Sequence, residues 1–285
     1  MPNPSPTVAQ RRLARALRRL RADADLTIDQ VAEKVDLSAS TLSRLETAQA
    51  TVRRGDIKEL LDIYQVADES QRQLLLRLAV QSREQPWWHE YRDLRQAAGA
   101  DLADQADVIR QYSALLVPGF LQTELYAREI LRALRGDEAS KYTERQLELR
   151  MRRQAVLTKH EPPQYVVVLD EPVVLRVVGD RHIMREQLQR LIQASAMPNV
   201  TLHLLPLSVG AHAAMDGEFT IFSYEGNRMY DDPDVVYVDN IVGGEYIEDR
   251  SITKRYNQAF RRLLDMAWDP VKSKQALVDI EQELQ

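Results

Sequence analysis

The stretch from Leu26 to Glu46 limits what this chain can fold into more than any other part, because its apolar spacing describes two short helices joined by a tight turn. Thr27 can cap the first helix, and Gln30, three residues later, can complete a capping box, so that helix should begin directly after the cap. Ser38 offers a second N-cap, and a second helix should run from about Ala39 to Thr47. The inward positions at helical spacing are Val31, Ala32, Val35, Leu42 and Leu45.

The outward side of the second helix carries small polar residues and one arginine, a composition that a DNA major groove admits. Short side chains permit close approach, and the Arg44 guanidinium can bind guanine O6 and N7 bidentately. The pattern therefore predicts a helix-turn-helix that reads DNA, although the same geometry also occurs inside all-helical domains that never meet DNA. The candidate DNA-binding residues are Thr27, Ile28, Ser38, Ala39, Ser40, Ser43, Arg44, Arg53 and Arg54.

The flanking segments extend this pattern to a five-helix domain over residues 1–84. Downstream, apolar spacing predicts a fourth and a fifth helix. Residues 1–55 hold ten Lys/Arg and six Asp/Glu, a net charge of +4, whereas the whole chain has −5, so the remainder carries −9. This asymmetry fits a DNA-binding head on an acidic body. Upstream, an apolar stripe predicts a helix whose outer face could track phosphates with Arg11, Arg12, Arg15, Arg18 and Arg19.

Residues 9–66 resemble the Xre or phage-repressor family of helix-turn-helix proteins. The resemblance rests on LTIDQVAEKV for the positioning helix, LSASTLSRLE for the recognition helix, and an arginine before the first turn. It implies a buried ion pair between Arg21 and Glu46, the glutamate that closes the recognition helix. Members of the family often carry glutamines at the base-reading positions, where this chain has alanine and serine, so we expect Arg44 to carry more of the sequence preference.

Whole-chain composition narrows the remaining possibilities. With 285 residues and 44% hydrophobic content, two domains are the natural expectation, and each can bury a core. The sequence has no cysteine, which removes disulfides, thiol catalysis and cysteine-ligated metals and suits a reducing cytoplasm. The N-terminus lacks a continuous apolar signal region, and no apolar run approaches the ~20 residues that span a bilayer. We expect a cytoplasmic protein with no membrane partner, associated with the nucleoid when bound to DNA.

Residues 85–285 show a different pattern, which predicts a larger mixed domain. Trp87 and Trp88 at the junction are interpreted as packing anchors more readily than as a ligand box. Grouped helices, then strands with one intervening helix, then helices again indicate an α+β fold behind the helical head. Helices are predicted at 102–116, 122–134, 143–159, 184–196, 251–267 and from 270 onward, and strands at 165–169, 173–178, 200–205, 219–224 and 235–238.

A second resemblance covers nearly all of residues 87–282. The segments VPGFLQTELYARE, RRQAVL, LDEPVVLRVVG, PNVTLHLLPLSVGAH, GEFTIF and VVYVDN are similar in order and spacing to the C-terminal domain of actinobacterial WhiJ-like regulators. The resemblance implies a DNA-binding regulator of development or secondary metabolism, sometimes described as antitoxin-like and commonly encoded beside a small acidic partner protein. It implies no catalytic residue.

The body carries no recognisable catalytic or cofactor-binding motif. Its five histidines include no pair at i, i+3 or i, i+4 spacing, so a helical metal site is not expected, and surface or hydrogen-bonded roles are favoured. Asp170 and Glu171 are explained more simply by a strand-connecting turn with Pro172 than by a carboxylate site. We expect no cofactor, no metal and no enzymatic activity.

Two places in the body are candidates for contact with a partner protein or a small-molecule ligand. The loop from Leu207 to Gly217 is rich in small residues and carries His212 and Met215. Long glycine-containing loops often hold binding residues, although many are only mobile connections. Arg152 and Arg153 form the second candidate, with a solvated helix face as the alternative.

Two classes of function stay open. In the first, the chain is a repressor or activator that its body dimerises, because two modules on half-sites a helical turn apart, ~34 Å, gain affinity by effective concentration. A signal to the body then changes DNA affinity. In the second, the body is an enzyme or effector and the head controls only its own gene, which the lack of a nucleophile, metal or phosphate motif disfavours. We expect the first class, as a homodimer.

Overall fold

The fold is of the α+β class, with a helical N-terminal region followed by a mixed sheet and its helices. The computed structural model describes residues 7–51, 53–91, 93–94, 97–135, 141–224, 233–239 and 244–284. The chain divides into two compact units, Met1–Trp87 with Tyr224–Asp232, and Trp88–Ser223 with Pro233–Gln285. The division after Trp87 lies three residues beyond the boundary expected from the sequence.

Capped helices build the described part of the N-terminal unit. Thr7, Thr27 and Ser38 each accept a backbone N–H from three residues further on, which sets where three of these helices begin. Their apolar faces meet in one core, in which Leu17, Val31 and Leu42 have no exposed surface. The helices are α1 (Val8–Asp23), α2 (Ile28–Ala32), α3 (Ala39–Glu46), α4 (Arg54–Ile63) and α5 (Glu69–Gln81).

The described residues of the second unit form a sheet of six strands. The strands are β1 (Val108–Ser113), β2 (Gln164–Asp170), β3 (Val200–Leu205), β4 (Phe219–Ser223), β5 (Val235–Asp239) and β6 (Gly244–Ile247). Their order in the sheet is β3-β2-β1-β4-β5-β6. The strands β3, β2 and β1 run parallel to one another, whereas β4 is antiparallel to β1, β5 to β4, and β6 to β5.

Because side chains alternate along a strand, neighbouring residues of β1 face opposite sides of the sheet. Tyr112 lies in an apolar core with Phe260 and Leu263. Gln111, on the other side, accepts a hydrogen bond from the Tyr165 hydroxyl at 2.8 Å. The helices of this unit are α6 (Ala97–Gln105), α7 (Glu124–Arg135), α8 (Lys141–Arg153), α9 (Glu171–Leu175), α10 (Arg181–Ala194), α11 (Arg250–Met266) and α12 (Pro270–Glu283). Its short 3₁₀ turns are Gly119–Leu121, Gln154–Thr158 and Leu207–Val209, and a further 3₁₀ turn, Trp87–Tyr91, includes the division between the two units.

The prediction of one helix over 102–116 is wrong. The helix ends at Gln105, and Val108–Ser113 is a strand that pairs with β2 on one side and β4 on the other. Its apolar residues are consistent with a short helix segment or a buried strand, and periodicity alone does not separate the two. Hydrogen bonding to two neighbours decides in favour of the strand.

The prediction of a strand over 173–178 is also wrong. Glu171–Leu175 is a short helix with Pro172 in its first turn, where the missing N–H of proline costs nothing. The Arg176 N–H donates to the Pro172 carbonyl at 3.0 Å and closes that turn. A further strand, Gly244–Ile247, and the 3₁₀ continuation of α8 over Gln154–Thr158 were not expected.

Candidate functional site

The recognition helix α3 presents a polar face to solvent. Its inward residues Leu42 and Leu45 are at most 2% exposed, which fixes the rotation of the helix. Ser40, Ser43 and Arg44 are exposed on the opposite side, and Ala39 and Ile28 are partly buried. The helix therefore offers small side chains and one guanidinium, as the spacing predicted, for the approach to a groove.

Two of the candidate DNA contacts are engaged in helix capping. The Ser38 hydroxyl accepts the Thr41 N–H at 3.1 Å and lies 2.8 Å from the Thr41 hydroxyl. The Thr27 hydroxyl accepts the Gln30 N–H at 3.2 Å, and the Gln30 side chain accepts the Thr27 N–H at 2.8 Å. Both cap residues are exposed, so their first structural effect is to set the angle at which α2 and α3 begin.

A bidentate ion pair ties α1 to the end of α3. Arg21 donates from Nε and Nη2 to the two carboxylate oxygens of Glu46 at 2.7 and 2.9 Å, and from Nη1 to the Leu26 carbonyl at 2.8 Å. The Glu46 side chain is only 4% exposed. The hydrogen bonds to Glu46 raise the pKa of Arg21, while burial and the Glu46 charge raise the pKa of the nearby Tyr64 phenol. This pair, which the first resemblance implied, closes the base of the helix-turn-helix.

The outer face of α1 differs from the sequence expectation in one residue. Arg12 is only 7% exposed and belongs to the buried side of the helix, because it shares that side with Leu13 and Ala16. Arg18 and Arg19 are exposed, and Arg19 lies 3.6 Å from Asp23 in an exposed ion pair. The basic surface of α1 is therefore narrower than the five arginines suggested.

Arg53 and Arg54 lie at the start of α4 and are both exposed. The Arg53 N–H donates to the Asp56 carboxylate at 3.2 Å, which fixes the backbone there and leaves the two guanidinium groups outside that hydrogen bond. Exposed cations at the first turn of a helix can contact DNA phosphates without reading bases.

In the body, the adjacent Arg152 and Arg153 have opposite environments. Arg152 is exposed and forms an ion pair with Glu90 at the surface. Arg153 turns inward, with its guanidinium 5.2 Å from the centre of the Phe120 ring, and its Nε is fully buried without a hydrogen-bond partner. The solvated-face alternative thus describes Arg152 and does not describe Arg153.

Arg150 lies one helical turn before Arg153 and was not singled out from the sequence. It donates to the side-chain oxygen of Gln122 at 2.9 Å, and the Gln122 amide donates to the Val117 carbonyl at 2.7 Å. Gln154 donates to the carbonyl oxygens of Gly119 and Gln122 at 3.0 and 2.7 Å. The signal for Arg150 was its i, i+3 spacing from Arg153, which places both on one face of α8.

His212 belongs to a polar cluster at the edge where β1 and β2 end. Its Nε2 lies 3.4 Å from the Tyr112 hydroxyl and 3.8 Å from the Asp170 carboxylate, and the Tyr112 hydroxyl donates to Asp170 at 3.1 Å. The Ala214 N–H donates to His212 Nδ1 at 3.3 Å, so the His212 ring also stabilises the loop that carries it. The interpretation of Asp170 as part of a strand-connecting turn does not account for its hydrogen bond with Tyr112.

The sequence-predicted body residues do not form one site. His212 contacts Tyr112, whereas Arg153 lies on the side of Phe120, whose ring packs 5.6 Å from Tyr165. Tyr112 and the Tyr165 partner Gln111 are consecutive in β1 and so face opposite sides of the sheet. Met215 is 68% exposed in the loop.

No group of three or more histidine and acidic side chains within the described ranges is placed to hold a metal ion. Of the helices in those ranges, none has both the length and the apolar character needed to cross a bilayer.

Comparison with known families gives two separate matches along the chain. Residues 12–75 match a helix-turn-helix domain, and residues 96–279 match a domain of unknown function (DUF5753). The first match lies on α1 to α5 and contains the whole Arg21–Glu46 pair. No curated protein and no solved structure matches the chain. The N-terminal region is thus a helix-turn-helix DNA-binding domain.

Proposed function

The chain belongs to the family defined by the domain of unknown function DUF5753 and carries an N-terminal helix-turn-helix domain, and from this we propose that it is a sequence-specific transcriptional regulator. The observation that carries the proposal is the exposed face of α3, with Ser40, Ser43 and Arg44 above a fixed apolar base. It acts as a repressor or an activator on double-stranded DNA in the cytoplasm.

The C-terminal unit, in this proposal, is the dimerisation and signal-receiving part of the regulator. Its similarity to WhiJ-like proteins of the Xre class supports control of development or secondary metabolism genes and an antitoxin-like pairing with a small acidic protein encoded nearby. A homodimer is favoured because one helix-turn-helix reads too few base pairs to bind tightly alone. We propose that this unit has no catalytic activity of its own.

Genome-wide mapping of bound sites, with and without the neighbouring small protein, tests the proposal. Discrete sites made of two half-sites about one helical turn apart support a dimeric regulator. Uniform binding across the genome contradicts it. Light scattering of the purified chain measures its oligomeric state. A chain that binds its operator as a monomer would contradict the proposed homodimer.

One observation favours the alternative, an effector activity in the body. It is the cluster of His212, Tyr112 and Asp170. A histidine beside a carboxylate is a possible general base. Turnover assays of the full chain on nuclease and esterase substrates test it, with His212→Ala as the variant. Turnover that this variant abolishes would replace the regulator proposal for the C-terminal unit.

The Arg54→Ala variant should weaken binding to every DNA sequence by a similar factor. Arg54 is exposed at the start of α4, where a phosphate contact adds affinity without sequence preference. The slope of log K against log salt should become shallower by about 0.9, the value for one phosphate contact. Titrations of specific and random duplexes at several salt concentrations measure this, and Lys58→Ala, also exposed on α4, is a matched control. A loss confined to the specific duplex would assign Arg54 to base reading.

A further inference from the structure

We propose that Arg150 and Arg153 of the C-terminal unit form a binding site for the oxyanion of a small-molecule effector, a phosphate or a carboxylate group. Both side chains lie on the inner face of α8, near its end, above the segment that contains Phe120 and Gln122. The regulatory meaning of the site rests on the proposed function, whereas anion binding itself can be measured without DNA.

The first argument is the missing partner of Arg153. A guanidinium carries five N–H donors and no acceptor, and its burial without hydrogen bonds costs free energy. Its Nε is buried and has no acceptor among the described residues. The Phe120 ring supplies a cation–π contact at 5.2 Å, which gives the Nε N–H no acceptor. An anion in front of this guanidinium would supply one.

The second argument is the contrast with the outer arginines of the same helix. Arg145 donates to both carboxylate oxygens of Asp93 at 2.5 and 2.9 Å, and Arg152 pairs with Glu90. Both pairs are at the surface, where water alone would solvate the charges. The two inward arginines have less counter-charge: Arg150 donates to the neutral Gln122 side chain, and the Arg153 guanidinium lies over the Phe120 ring.

The electrostatic environment of the two arginines agrees with this contrast. Burial and the positive charge of Arg153 together lower the pKa of Arg150 to about 10. Burial also lowers the pKa of Arg153. The Asp239 charge acts in the opposite direction and raises the pKa of both. Two guanidinium groups beside one carboxylate leave a net positive charge that attracts an anion.

The site is held rigidly before any ligand arrives. Gln154, directly after α8, donates two hydrogen bonds to the backbone of the 117–122 segment, and the Gln122 side chain donates a third within that segment. A Cβ atom at Gly99 would lie 3.2 Å from Arg153 Nη2, so glycine there leaves room for the guanidinium. A pre-formed pair of cations loses little entropy on binding, which favours recognition of a small ligand.

Two tyrosines lie near Arg153. The rings of Tyr237 and Tyr246 lie 4.9 Å apart on neighbouring strands, and Tyr246 is 38% exposed. Both phenols are close enough to influence the pKa of Arg153. Gly244 faces the Tyr237 ring so closely that any side chain there would displace it. In this proposal the Tyr237 and Tyr246 rings pack against a flat group attached to the oxyanion.

Thermal unfolding of the full chain at constant ionic strength tests the proposal, with inorganic phosphate, a nucleoside monophosphate, benzoate and chloride as probes. We expect the melting temperature to rise with at least one of the first three, in a saturable way, and not with chloride. A rise with phosphate and the nucleotide assigns a phosphate group, and a rise with benzoate alone assigns a carboxylate. No saturable rise with any of the three overturns the proposal.

The Arg153→Gln variant separates a binding role from a structural one. Because this change removes an uncompensated buried charge, the ligand-free protein should melt at the same temperature as the wild type or higher, and the anion-induced rise should vanish. Arg153→Lys should fold and bind the anion about tenfold more weakly, since lysine cannot bind bidentately. Arg152→Gln is the matched neighbour and should keep the full rise.

Two results would contradict the assignment of this site. One is a Gln variant that melts lower and still shows the wild-type rise. The other is an Arg152→Gln variant that loses the rise. DNA binding of Arg153→Gln without any anion is measured in parallel, and its retention while the anion response is lost keeps the two proposals distinguishable. If specific DNA binding fails in the wild type while the anion binds, only the regulator proposal falls.

Discussion

Replacing Glu46 with alanine should lower the free energy of unfolding of the N-terminal unit by about 3 kcal/mol, because it leaves the Arg21 guanidinium half-buried without a counter-charge. Arg21 loses two hydrogen bonds of 2.7 and 2.9 Å to a carboxylate that is 4% exposed and keeps only the bond to the Leu26 carbonyl. A loss of this size corresponds to a fall of roughly 10 °C or more in the melting temperature of a unit of this length.

Hydrogen exchange of the α1 and α3 amides in the full chain localises the effect to this unit. Glu46→Gln should lose less, because its amide oxygen still accepts one hydrogen bond. Glu59→Ala on α4 is the control for an exposed glutamate and should stay within about 0.5 kcal/mol. The double variant Arg21→Ala with Glu46→Ala should recover part of the loss, since no lone charge stays behind. An unchanged melting temperature for Glu46→Ala would mean that the pair contributes nothing.

The helix-turn-helix could be predicted from the sequence because its determinants are local. The caps at Thr27 and Ser38 act over three residues, and the apolar spacing of Leu42 and Leu45 sets the exposed face of one helix. The Arg21–Glu46 pair spans 25 residues, and it was expected only through the family resemblance. Arg12 shows the limit of local patterns, since it is only 7% exposed and lies on the same side of α1 as Leu13 and Ala16.

The body was harder to predict because long-range pairing decides its elements. Val108–Ser113 becomes a central strand only because β2 and β4 lie on either side, and β4 is more than 100 residues away in sequence. Pro172 carried a usable signal for the short helix, since proline favours the first helical turn.

The environments of Arg152 and Arg153 could not be separated from their sequence positions. Both lie at the end of α8, and consecutive helical residues point about 100° apart. Which of them turns inward depends on Phe120 and Gln122, more than 25 residues earlier. The contact between His212 and Asp170 likewise depends on where the loop after β3 crosses the sheet edge. Candidate residues can thus be proposed from composition, but their grouping into sites requires the fold.

Replacing Arg44 with alanine should reduce the preference for the operator over a mismatched duplex by about 1 to 3 kcal/mol at one base pair, which is a factor of roughly 5 to 150. Arg44 is the guanidinium on the exposed face of α3, where Ala39 and Ser40 offer short side chains with little capacity to read base edges. The change should leave the fold intact, because the side chain is exposed and lies opposite the buried Leu42.

Competition binding against single-base variants of the mapped operator measures this loss of preference. The loss of preference should be confined to one base pair in each half-site. The affinity for random DNA should fall by no more than the loss of one phosphate contact explains. Arg18→Ala, which removes an exposed arginine of α1, is the matched control for charge alone and should lower specific and random binding together. Arg44 and the recognition helix would lose their assigned roles if Arg44→Ala weakened binding to operator and random DNA equally, because base reading requires that the loss depend on sequence.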